Sequence, residues 1–207
     1  MDLLISFWKI TNFQDIGMRA IKLVVVSILE GEAYEEIKRM WRFIEKEYDS
    51  KAVQNFPHPH LSFQGGTSED LKTVDSELKK LSSEIRPFPI TTGGIDTFRK
   101  PERVIFLSVT RTKTLQGIHK KIDDLLQKYC SQTFRFCTPQ YWFPHLTLAH
   151  GDLTLNQFHR AKKDLENYHL NYKLTIHNIC LVIWYDQGRK IRIHKKYMLE
   201  SPNRLKD

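Results

Sequence analysis

A chain of 207 residues with 41% hydrophobic and 12% aromatic content has the length and the apolar material for one folded unit, and excludes both a mainly disordered chain and a pair of independent enzymes. With 32 Lys plus Arg against 24 Asp plus Glu, the formal net charge is +8, which draws anionic partners, nucleotides and RNA first among them. Three cysteines (Cys130, Cys137 and Cys180) without paired CxxC spacing support neither a disulfide framework nor a thiolate zinc site and fit a reducing compartment.

Residues 1–19 read as an N-terminal extension of a single domain spanning 1–207. Their apolar stretch, Leu3 to Trp8, is shorter than a signal-peptide core and has no basic lead, so a cytoplasmic location is expected. Ile21 to Leu29 is β-branched and reads as a buried strand; Ser27 interrupts it well short of the roughly 18 apolar residues of a membrane span, and no membrane contact is expected. Ala33 to Tyr48 carries Ile37, Met40, Trp41 and Ile44 at helical spacing. A short strand starts at His60 and is ended by Gly65 and Gly66. A helix then opens at Ser68, with Glu69 and Asp70 in its first turn and Leu71, Val74, Leu78 and Leu81 along its apolar line. Pro87 and Pro89 stop that helix, and an extended stretch runs through Ile90 to a break at Gly93 and Gly94.

The order then repeats. Arg103 to Thr110 is a strand, Leu115 to Leu126 marks a helix, a short strand starts at His145, and Leu155 to Tyr168 is a helix. Two strands close the chain, Leu174 to Tyr185 and Lys190 to Leu199, joined as a hairpin through Asp186, Gln187 and Gly188. An offset of 85 sets FPHPHLSFQGG against YWFPHLTLAHG, matching Pro59 with Pro144, His60 with His145 and Ser62 with Thr147. The expected fold is therefore α+β: two pseudo-symmetric αβ lobes around a central groove, each a small, mostly antiparallel sheet flanked by helices. The lobes fall at about 20–95 and 103–200, with room for strand exchange between them, and a monomer is expected.

A bare His-x-Ser/Thr triplet is expected about once by chance in a chain with nine histidines, so the triplet alone decides nothing. Two copies in matching places, each with Pro before and Leu between, do. In a strand, residues two apart share a face, so His60 and Ser62 point one way while Leu61 and Phe63 point into the core, and His145 and Thr147 repeat the arrangement. An imidazole beside a hydroxyl suits a phosphate: the hydroxyl donates to a non-bridging oxygen and the imidazole exchanges a proton with the attacking or leaving oxygen. With an ordinary pKa of about 6.5, one ring can be neutral while the other is protonated, and in-line displacement then needs no metal. Which ring is the base stays open.

These motifs, His60-Leu61-Ser62-Phe63 and His145-Leu146-Thr147-Leu148, resemble the 2H phosphoesterase superfamily, specifically its 2′-5′ RNA ligase-like group, which includes RNA cyclic phosphodiesterases. The resemblance implies histidines facing across a groove and phosphodiester substrates with a ribose 2′ oxygen, such as 2′,3′-cyclic phosphates or 2′-5′ linkages, processed without a metal. Five places after the second histidine, where many bacterial members have Arg, this chain has His150. The function so read is a phosphodiesterase acting on RNA ends or short oligonucleotides, with His60 and His145 as acid and base and Ser62 and Thr147 holding the phosphate. The alternative is a binding module of the same shape that holds a nucleotide without turnover.

Tyr141, Trp142 and Phe56 flank the motifs as candidates for stacking a base. Asp152 alone among the carboxylates stands near His145 and His150 at ligand spacing, so neither a metal nor another cofactor is expected. The basic runs Lys120-Lys121, Lys162-Lys163 and Arg189 to Lys196 read as solvated faces, the last with a phosphate track as its alternative.

Overall fold

A computed structural model describes residues 20–99, 103–168, 171–185 and 190–200. The expected extension at 1–19 and the hairpin turn at Asp186 to Gly188 lie outside them. Nine strands and four helices are present among the described residues: β1 (Ile21–Ile28), α1 (Gly31–Tyr48), β2 (His60–Ser68), α2 (Leu71–Ser83), β3 (Phe88–Phe98), β4 (Val104–Val109), α3 (Lys113–Tyr129), β5 (Gln132–Thr133), β6 (His145–His150), α4 (Leu155–Glu166), β7 (Lys173–Ile176), β8 (Asn178–Tyr185) and β9 (Lys190–Met198). They form two antiparallel sheets, one ordered β5-β2-β1-β8-β9 and one ordered β6-β4-β3-β7. The α+β class and the two-sheet duplication are as the sequence led one to expect.

The sheets do not follow a division of the chain at 95–103. β3 pairs with β4 in the second sheet, and β8 and β9 return to the first. The continuous strand expected from Leu174 to Tyr185 is broken at His177: β7 pairs with β3, β8 pairs with β1, and the chain crosses between sheets at that one residue. The crossing is held by Asn178, whose side chain accepts from Ile28 N (2.9 Å) and donates to Ile28 O (2.9 Å). Two buried ends are thereby satisfied that would otherwise cost desolvation energy.

Both glycine pairs were expected to end strands, and neither does. β2 runs through Gly65 and Gly66 to Ser68, and β3 runs through Gly93 and Gly94 to Phe98. A Cβ on Gly65 would stand 2.3 Å from a Phe134 ring carbon, so this glycine admits a close neighbour to the sheet face. At Gly93 and Gly94 the register slips between Thr92 and Ile95, a β-bulge in β3. Similarly, Asp70 caps α2 from outside, accepting from Thr73 N at 3.0 Å, and does not sit in its first turn.

One continuous core serves both sheets. α1 buries Ala33, Ile37, Met40, Trp41, Ile44 and Tyr48 on one face, and the same core holds Leu61 and Phe63 from β2 and Leu146 and Leu148 from β6. Polar bonds cross between the halves as well. Asp152, after β6, accepts from Ser50 Oγ, Lys51 N (2.6 Å) and Ala52 N (2.8 Å), and Tyr48 Oη donates to Asp164. None of the described helices is long and apolar enough to cross a membrane.

Candidate active site

Each motif opens a strand, and the ladder explains why Pro precedes each His. Pro59 O accepts Leu29 N at 2.9 Å and Pro144 O accepts Val109 N at 3.0 Å, so each ladder closes on a carbonyl and the missing proline N–H is not needed. His60 and Ser62 lie opposite Ile28 and Val26 of β1; His145 and Thr147 lie opposite Ser108 and Phe106 of β4. Both motif strands then bulge at equivalent places. Phe63 has no partner on β1 and Leu148 none on β4, so the offset of the duplicated sequence is preserved in its irregularities.

His60, Ser62, His145 and Thr147 are all half-buried and line one cleft between the sheets. Its walls are mostly apolar: Val24 and Val26 from β1, Val182 and Trp184 from β8, Phe56, and Phe98 from β3. Counted to its open mouth, and with the solvent there included, the cleft encloses about 880 Å³. Few polar groups in an apolar hollow make each electrostatic interaction stronger than it is in water.

The two imidazoles are oriented alike. His60 Nδ1–H donates to His58 O at 2.7 Å, and His145 Nδ1–H donates to Phe143 O at 2.7 Å. A carbonyl only accepts, so Nδ1 carries the proton in each ring and Nε2 is the nitrogen left to titrate. The edge of Phe56 meets His60 with ring centroids 5.1 Å apart, and Phe98 and Phe106 meet His145 at 5.2 and 4.9 Å. Burial among these walls pushes His60 down to about 4; the His58 carbonyl works against that shift, and positive charge on His145 and His58 adds to it. Burial also holds His145 below the ordinary imidazole range, with the Phe143 carbonyl working in the opposite direction.

The aromatic candidates separate. Phe56 is buried in the cleft wall. Tyr141 is 37% exposed and lies at the surface beside Arg135 and Phe136, outside the set of residues that line the cleft. Trp142 is a correction: it is 4% exposed, its ring packs on His119 with centroids 3.9 Å apart and on Phe63 at 6.0 Å, and no face remains open for a base. The alternation that fixes side-chain direction starts only at His145, so it says nothing about the irregular segment before it.

Asp152 is committed to residues 50–52 by its three bonds, and no cluster of three His, Cys, Asp or Glu with metal-ligand geometry occurs among the described residues. His150 does line the cleft. Two basic runs have acidic neighbours on their own helices, Lys120 pairing with Asp124 and Lys162 with Glu166. In β9, Ile191 faces the cleft, so alternation turns Lys190 and Arg192 to the opposite side; Arg189 lies outside the described residues. Trp184 and Phe98 are wall residues that the sequence reading did not single out. The period-two pattern of β8 places Val182 and Trp184 on one face, but only the pairing of β8 with β1 shows which face that is.

Two sheets joined over a common core each offer a His-x-Ser/Thr strand to one cleft, the arrangement that the resemblance to the two-histidine phosphoesterases implies. The family model of the 2′-5′ RNA ligase superfamily matches residues 29–188, and the chain belongs to that family. A Staphylococcus saprophyticus protein that bears a phosphoesterase name is 23% identical over 175 residues, covering 84% of this chain and 97% of its own. The RNA 2′,3′-cyclic phosphodiesterase of Bacillus subtilis is 32% identical over 95 residues, 44% of this chain and 50% of its own. Among solved structures, Escherichia coli LigT complexed with 3′-AMP superposes with a TM-score of 0.58 at 19% identity, covering 88% of this chain and 99% of that one. A Thermus thermophilus protein gives 0.57 at 15% identity, covering 86% and 97%. At these identities the structural likeness concerns the fold.

Proposed function

We propose that this protein is a metal-independent phosphodiesterase acting on RNA ends or short oligonucleotides that carry a 2′,3′-cyclic phosphate or a 2′-5′ linkage. The carrying observation is that both motif histidines line one cleft with Nδ1 tied to backbone, which leaves two Nε2 atoms for proton transfer. The relatives named for phosphoesterase and RNA 2′,3′-cyclic phosphodiesterase activity support the substrate class.

In this reading His60 is the base and His145 the acid. Burial takes His60 down to about 4, so it is the neutral ring of a singly protonated cleft and His145 holds the proton. With a cyclic phosphate, neutral His60 Nε2 takes a proton from water and the water oxygen attacks phosphorus. The P–O bond to one ribose oxygen breaks in line, and His145 Nε2–H protonates that oxygen. The product is a phosphomonoester, with the proton moved from His145 to His60 and re-equilibrated through solvent. Ser62 and Thr147 hydroxyls donate to the non-bridging oxygens, where charge builds in the transition state.

The test is an assay in chelator with a 2′,3′-cyclic nucleotide and with 2′-5′-linked oligoadenylate, repeated with His60→Ala and His145→Ala. Each variant is expected to lose at least about 100-fold of the activity, the lower end of what one proton-transfer group contributes. Wild-type turnover in both variants would overturn the assignment, and activity abolished by chelator and restored by zinc would replace it with metal chemistry.

A further inference from the structure

We infer that Trp41 and Trp142 are positioning residues for the two motif hydroxyls, each holding the hydroxyl strand of the opposite half of the molecule. Trp142, in the segment entering β6, donates its indole Nε1–H to Ser62 O at 2.9 Å; Trp41, on α1, donates its Nε1–H to Thr147 O at 2.9 Å. Both indoles are buried, at 4% and 1% exposure. The inference rests on the proposed function for what the hydroxyls do, and on the hydrogen bonds alone for how they are held.

Duplication does not account for the pair. At the 85-residue offset, the position matching Trp142 is Pro57 and the position matching Trp41 is Leu126, so the two indoles reach equivalent carbonyls from unrelated places in the sequence. What the two carbonyls share is their location. Ser62 and Thr147 each precede the bulged residue, Phe63 or Leu148, at the point where the ladder to the neighbouring strand is interrupted. A bulge bends and twists its strand, and so redirects the side chain next to it. An indole N–H fixed in the core and bonded to the carbonyl of that residue sets the orientation of its peptide plane, and with it the direction of the hydroxyl relative to the imidazole two residues earlier. Trp142 is itself held by the stacked His119, whose Nε2–H donates to Cys137 O at 2.8 Å. Each half thus completes the site of the other, and misplacement of a reacting group by about 1 Å is enough to cost two orders of magnitude in rate.

The test is a set of double-variant cycles on turnover of 2′,3′-cyclic AMP in chelator: Trp142→Phe and Trp41→Phe, each combined with Ser62→Ala and with Thr147→Ala. Trp142→Phe is expected to lower kcat about 10-fold, with KM changed by less than about twofold. That loss should disappear in the Ser62→Ala background and persist in Thr147→Ala, and Trp41→Phe should give the mirror pattern. A purely structural role would not distinguish the two backgrounds. Losses that multiply in all four combinations overturn the inference and leave the proposed function standing. If a Phe variant folds poorly, benzothienylalanine at the same position, which exchanges the N–H for sulfur and keeps the bicyclic shape, is read for the same pattern. If the wild-type chain shows no turnover, the cycles are read on the Kd of adenosine 3′-monophosphate. Factors that multiply there overturn the inference, and a chain that neither turns over nor binds overturns the inference and the proposed function together.

Discussion

His60 and His145 are held by the same bond: each Nδ1–H donates to the carbonyl two residues back in its own chain, at 2.7 Å in both cases. The rings therefore share a tautomer, and differences in their titration come from their surroundings. Burial lowers both against the carbonyl bond that each makes, His60 to about 4, and repulsion between two charged rings opposes their being protonated together.

The rate should follow those shifts. A cleft that works with one neutral and one protonated imidazole loses its acid as pH rises through the higher of the two values, which lies below 6.5, and loses its base as pH falls through about 4. In the free enzyme, kcat/KM should therefore describe a bell on the acidic side of neutrality. A bound phosphate adds negative charge and favours the imidazolium, so the kcat bell should lie at higher pH than the kcat/KM bell. Parallel pH–rate profiles for the two constants check this, and a kcat/KM optimum above pH 7 would contradict it.

Stability should depend on pH in the same window. The His60 value is lower in the folded chain than in the unfolded one, so between about 6.5 and about 4 the unfolded state binds more protons, and stability is lost as pH falls through that interval. His60→Asn removes the titration and keeps an N–H for the His58 carbonyl. Urea unfolding at several pH values should show a shallower loss toward acid in this variant than in the wild type; equal slopes would mean that folding does not lower the His60 value.

Much of this site was readable from residues because strand periodicity is strict. Once His60 opens a strand, Ser62 must share its face and Leu61 must oppose it, and the same holds around His145. Long-range pairing was not readable. No local signal tells that β8 leaves β7 at His177 to join β1, so the contribution of Val182 and Trp184 to the cleft stayed hidden. Glycines misled for a related reason. Gly65 and Gly93 resemble strand breaks, yet each sits where another residue comes close: Phe134 in one case, Ser108 in the other. Trp142 is a stacking candidate by its place beside the motif, and its burial depends on His119 and Phe63, both distant along the chain.

The two hydroxyls should matter by comparable amounts. Removal of a hydrogen bond to a charged phosphate oxygen costs about 1.5–3 kcal/mol, or roughly 10- to 100-fold in kcat/KM. Ser62→Ala and Thr147→Ala should each fall in that range on a 2′,3′-cyclic nucleotide, while Thr147→Ser should retain most of the activity. A Ser62→Ala variant with unchanged kcat/KM would remove its hydroxyl from the phosphate.

Gly93 offers a test of the second sheet that leaves the motif residues untouched. A Cβ placed there would lie 2.5 Å from Ser108 Oγ, while the next nearest atoms are 3.8 and 3.9 Å away, in ordinary contact. Ser108 is the β4 residue opposite His145, and its hydroxyl donates to Gly94 O at 3.2 Å. Gly93→Ala must push that hydroxyl aside, at a cost of about 1–3 kcal/mol of stability. Ser108→Ala removes the obstructing atom, so Gly93→Ala in that background should cost less than about 1 kcal/mol, since the extended strand accommodates alanine. Denaturant unfolding of the two single variants and the double variant gives the coupling directly. Equal costs of Gly93→Ala in both backgrounds would mean that the strain lies in the β3 backbone and not in the Ser108 contact.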